Sequence, residues 1–152
     1  MVSLIQYGAV NMLLSFKKIM SKMIFHEFSP EIYPRKLWIC INPVEKILDE
    51  QFRIDKKYGS GDLKFDKEYS LATTSPVFKR GNGDRGVLIC FRNKSSLNFD
   101  IVSHESCHAA DYICEELGIT GQSFSENNEH YTYLVGWIAK CCEETKNYHN
   151  KH

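Results

Sequence analysis

Apolar runs alternate along the chain with charged, glycine-punctuated stretches, and the period of each run decides which element it predicts. KLWICIN (36–42) is almost continuously apolar, rich in β-formers and stopped by Pro43, so it predicts a buried strand. PVEKILDEQF (43–52) begins with proline at a helical first turn and continues as a short amphipathic helix. DKKYGSGDLKFDKEYS (55–70) is charged and broken by glycine, which predicts an exposed loop. LATTSPVF (71–78) and GVLICFRN (86–93) predict two strands joined by the turn-rich KRGNGDRG (79–86), hence a hairpin. Pro76 is tolerated only at a sheet edge, because it has no N–H for a second neighbour.

Two helices follow. Asn98 is a favourable N-cap for a helix from about Phe99 to Leu117, with Asp100 in its first turn and Gly118 and Gly121 ending it. Ser123 with Glu126 fits a capping box for a second helix over about 124–145. The polar KNYHNKH (146–152) reads as a frayed tail. This order of elements predicts an α+β fold with a small mixed sheet.

The amino terminus reads differently. MVSLIQYGAVNMLLSFKK (1–18) has an apolar middle, but its lysines follow that stretch, the wrong order for a signal peptide. Gln6 and Asn11 interrupt it, which argues against a membrane span. Met20 and Met23 each stand as an alternative start. Residues 1–22 are therefore expected to form an N-terminal extension, either a loosely attached helix or an overlong gene model, and 23–152 a single domain.

Composition excludes little. Nineteen basic residues balance nineteen acidic ones among 152, which offers no footprint for nucleic acid or a membrane surface. The six cysteines lack C-x-x-C spacing, and several lie inside apolar runs. They read as small buried hydrophobes of a reducing, cytoplasmic compartment, Cys107 among them.

The chemistry lies in HESCH (104–108). On a helix, at about 100° per residue, His104 and His108 stand ~40° apart and one turn apart along the axis. Two neutral imidazoles so placed can reach one zinc ion. Glu105, ~60° from His108, can then serve a metal-activated water as general base without being a ligand. Such a pattern arises by chance in roughly 2% of chains of this composition, so a third donor decides the matter. Glu129, 21 residues after His108 in SENNEHYTYLVGW, is the candidate, on a second helix turned back beside the first. Gly136, ~20° from Glu129, would permit close helix approach. Glu126 is the runner-up ligand, and Cys90 an upstream thiolate candidate better explained by burial in its strand.

HESCH followed by NNEHYT resembles the thermolysin-like, or gluzincin, pattern of H-E-x-x-H with a downstream N-E-x-x-S/T. More narrowly, FHEFSPEIYPRKLWICI, VSHESCHAADYI and NEHYTYLVGWIAKC look like the small phage- and prophage-encoded metallopeptidases, over about residues 24–145. The resemblance implies a minimal zincin-like core, in which a small mixed sheet packs on an active-site helix and a following glutamate helix. It also implies zinc on His104, His108 and Glu129, with Glu105 as catalytic base and a peptide or protein as substrate. The chain departs from thermolysin-like enzymes at Tyr133, where they carry an aspartate supporting a histidine ligand. Asp111, almost directly above His104, is the substitute carboxylate on offer. His26 and His130 read as surface histidines, and neither His130 nor Tyr131 is assigned as oxyanion donor. The competing expectation is a metal-stabilised, non-catalytic phage or mobile-element protein binding a host partner, its fourth metal position closed by Cys90 or another side chain.

Overall fold

The β-forming stretches at 36–42, 71–78 and 86–93 all become strands. A computed structural model describes residues 22–59, 61–66, 68–119 and 128–148. Five strands form one sheet: β1 (Ile24–Phe28), β2 (Lys36–Ile41), β3 (Phe52–Ile54), β4 (Ala72–Lys79) and β5 (Arg85–Phe91), in the spatial order β1-β2-β5-β4-β3. Only the β2–β5 pair is parallel. Among the described residues three α-helices accompany the sheet: α1 (Glu45–Gln51), α2 (Phe99–Glu116) and α3 (Glu129–Asn147). The fold is α+β with a mixed sheet. No helix of the described residues is long and apolar enough to cross a membrane.

The pleat of β2 and β5 sorts their side chains into two cores. Leu37, Ile39, Ile41, Val87, Ile89 and Phe91 face α2 and α3, where Ala109, Ala110, Ile113, Leu134 and Ile138 meet them. Trp38, Cys40, Leu88 and Cys90 face the other way, against Leu48 of α1 and Phe52. Each fully buried Leu, Ile or Phe side chain contributes about 1.5–3 kcal/mol of transfer free energy, so neither face is dispensable. Along the helix face, α2 lies over β4 and β5, and α3 over β1 and β2. Gly86 opens the β2–β5 pairing because a Cβ there would stand 1.9 Å from the Lys36 carbonyl oxygen.

Several details differ from the sequence reading. The short strands β1 and β3 were not anticipated, because IFHEF and FRI carry polar residues inside brief runs. β3, not β4, is therefore the outermost strand on its side. It covers only Val77–Lys79, so residues 72–75 of β4 project beyond it, and Pro76 sits at the junction. The 55–70 stretch is not wholly exposed: Leu63 and Phe65 are buried. Carboxylates of α1 draw them in, Asp49 accepting from the Leu63 N–H at 2.7 Å and Glu45 from the Phe65 N–H at 3.0 Å. The expectations for residues 1–21 and for the Ser123–Glu126 capping box fall outside the described residues.

Candidate functional site

Helix α2 starts as its sequence requires. The Asn98 side chain accepts from the Ile101 N–H at 3.0 Å, and Asp100 occupies the first turn. The helix buries Glu105, Ser106, Ala109, Ala110, Ile113 and Cys114 against the sheet and α3. Its other face leaves His104, Cys107, His108 and Asp111 exposed. Cys107 is thus a correction: it stands on the solvent side of α2 beside both histidines, whereas the other five cysteines are buried as expected.

The two imidazoles converge. His104 Nε2 and His108 Nε2 are 3.0 Å apart, with ring centroids separated by 4.6 Å and ring planes at 79°. At that distance at least one nitrogen presents its lone pair, since two facing N–H donors would repel. An ion at the usual Zn–N distance of 2.0–2.1 Å from both would subtend about 90–100° between them, slightly below tetrahedral. A spreading of a few tenths of an ångström closes the difference, so the donor pair fits zinc. Among the described residues no three His, Cys, Asp or Glu side chains form a group that could hold a metal ion.

Glu105 faces inward rather than outward. It is 7% exposed, and its Oε2 accepts a 2.5 Å hydrogen bond from the Thr74 hydroxyl of β4. Thr74 pairs with Ile89, so it shares the sheet face turned to the helices. From the side of α3, buried Cys142 feels the same carboxylate. Burial, then the charges of Cys141 and Glu105, push its thiol up to about 12. The carboxylate therefore lies in the seam between α2, the projecting part of β4 and the carboxyl-terminal half of α3.

Glu129 opens α3 and is exposed. Two residues on, the Tyr131 hydroxyl donates to Asp111 Oδ1 at 2.9 Å, one turn of α2 beyond His108. That bond employs Asp111, which makes no hydrogen bond to either imidazole among the described residues. Tyr133 does not replace the expected carboxylate. It is 73% exposed and lines a cavity of about 630 Å³ with Ile32, Tyr33, His130 and Trp137.

The remaining candidates are sorted by position. Gly136 does not mediate close approach, since a Cβ there would meet nothing within 4 Å. It instead borders an open groove with Phe99 and Val102 of α2, because α3 turns Leu134, Ile138 and Cys141 to the core. Cys90 belongs to the core on the opposite side of the sheet from the histidines. His26 is half-buried rather than a surface group: its Nδ1 lies 3.1 Å from Thr145 Oγ1 and its ring packs on Tyr148, fastening β1 to α3. Glu126, His149 and His152 lie outside the described residues. Sequence reasoning missed Thr74, a threonine in a strand with no motif around it; only the β4–β5 register puts it on the helix face.

Comparison with protein-family models, with curated proteins and with solved structures gives no match for this chain.

Proposed function

We propose that the chain is a zinc-dependent peptidase, with His104, His108 and Glu129 as metal ligands and Glu105 as general base. The observation that carries this reading is the 3.0 Å convergence of His104 and His108 Nε2 one residue from a buried carboxylate. Glu129 does not stand in a three-donor group with the two histidines. Its candidacy as third ligand rests on the Tyr131–Asp111 bond, which holds the first turn of α3 against the turn of α2 that follows His108. The resemblance of HESCH and NNEHYT to gluzincins, and to small phage-encoded metallopeptidases, points the same way.

Zinc, when bound, lowers the pKa of water towards ~7 and polarises a substrate carbonyl. Glu105 accepts the proton of the attacking water at Oε1, its other oxygen being engaged by Thr74, and returns it to the leaving amine. Residues 72–75 of β4, beyond the end of β3, offer backbone groups to which an extended peptide can add as a strand. Such a peptide would run past the seam that holds Glu105.

The alternative is a metal-held scaffold that binds a host protein without cleaving it. It needs a side chain to close the fourth metal position; Cys90 lies across the sheet, whereas Cys107 stands on the exposed face of α2 beside both histidines. The deciding experiment measures zinc in the purified chain and compares it with Glu105→Gln on a mixture of unfolded proteins. The peptidase reading expects equal zinc and a loss of hydrolysis of about 10²–10⁴-fold in the variant. Equal hydrolysis by both would sink it.

A further inference from the structure

The structure assigns Thr74 a role as the positioning residue for Glu105, an inference that rests on the peptidase reading. Thr74 Oγ1 lies 2.5 Å from Glu105 Oε2 and 3.5 Å from the Glu105 carbonyl oxygen. A hydroxyl has one proton, and the shorter contact to a charged acceptor takes it. The donor is unusually well fixed. Threonine is β-branched and stiff about χ1, and its backbone is set by the register with β5.

A carboxylate on a glutamate side chain otherwise has three torsions to restrain. The hydrogen bond from the sheet selects one arrangement, engages Oε2 and leaves Oε1 without a hydrogen bond among the described residues. Glu105 is thereby aimed from the sheet, not only carried by α2. A simpler account is that a buried carboxylate needs some donor, and that Thr74 merely pins α2 to β4. The two accounts differ in what they predict for folded variants.

Thr74→Val keeps shape and removes the donor, while Thr74→Ser keeps the donor and removes a methyl group. On the positioning account Thr74→Val retains its zinc and melts within a few degrees of the parent. Its kcat falls about 10–100-fold, as displacement of a reacting group by a fraction of an ångström can cause, with KM changed less than about twofold. Thr74→Ser stays within about threefold of the parent. In the zinc-free proteins, the carboxylate infrared band that Glu105→Gln deletes should shift in Thr74→Val and not in Thr74→Ser. Should Thr74→Val not fold, Thr74→Cys against Thr74→Ser makes the same comparison, since a thiol is a poor donor.

Zinc-loaded, folded Thr74→Val or Thr74→Cys with the parent kcat and an unmoved band overturns the assignment, as does equal impairment of the serine variant. Those outcomes leave the peptidase reading standing if hydrolysis still requires Glu105. Absent hydrolysis in the parent, or hydrolysis that survives Glu105→Gln, overturns both.

Discussion

Tyr131 donates its phenolic hydrogen to Asp111 across 2.9 Å, joining the first turn of α3 to α2 one turn beyond His108. Burial, and then Asp111, push the Tyr131 hydroxyl well above its ordinary range, so it remains a donor at any physiological pH. The bond matters because it ties the first turn of α3 directly to α2. Removing it with Tyr131→Phe should cost about 1 kcal/mol of stability. It should also weaken zinc binding several-fold by loosening Glu129. Competition against a chromophoric chelator measures the second effect; parent-like affinity would show that α3 is placed by its apolar contacts alone.

The ligand assignment makes a sharper demand. Purified parent chain should carry about one zinc, and zinc should raise its melting temperature by mass action on the folded state. His104→Ala should lose most of the metal, and Glu129→Ala should bind more weakly than the parent. Glu126→Ala should keep it. Retention of zinc by Glu129→Ala together with its loss from Glu126→Ala would transfer the third ligand to Glu126.

Cysteine accessibility gives an independent check on the exposed face of α2. Cys107 is exposed, and the five remaining cysteines are buried, with Cys141 and Cys142 held up near 12 chiefly by burial. A thiol reagent at neutral pH should therefore modify one cysteine rapidly in the native protein and all six in denaturant. Cys107→Ser should abolish the rapid phase. Its persistence would mean that another cysteine is reachable and that the remaining five are not all packed in the core.

Local signals in the sequence encode only structure within a turn or a strand of themselves. The capped start of α2 was legible because Asn98 and Asp100 act within one turn of themselves. So were the β4–β5 hairpin, through its glycine-rich turn, and β2, through its apolar run. The pairing of His104 with His108 needed only helical periodicity. Contacts made by partners distant in sequence were not legible. Thr74 meets Glu105 across 31 residues and His26 meets Thr145 across 119, and no local pattern marks Thr74, His26 or Thr145. Gly136 was misread because helical angle alone does not say which side of α3 faces its neighbour.

The last prediction concerns Glu27, on the sheet edge far from the histidines in sequence. Its Oε2 accepts from Lys79 at 2.8 Å and from the buried Trp38 indole N–H at 2.8 Å, and Lys36 stands 3.3 Å from Oε1. The Lys79 hydrogen bond, followed by that of Trp38, pulls the carboxyl down from 4.5 to about 2. A carboxyl group whose folded pKa lies below its unfolded one adds stability in full above the unfolded value. That contribution fades as pH falls from about 4.5 towards about 2. Glu27→Gln retains an oxygen acceptor for Trp38 but has no charge to titrate. Urea midpoints should thus favour the parent at pH 7, with a gap that narrows between pH 4.5 and pH 2. Salt should shrink the gap as well, because the side chains of this cluster are each about one-third exposed apart from Trp38. A gap that stays constant down to pH 2 would show that Glu27 acts as an acceptor for Trp38 alone, with its ion pairs contributing nothing to stability.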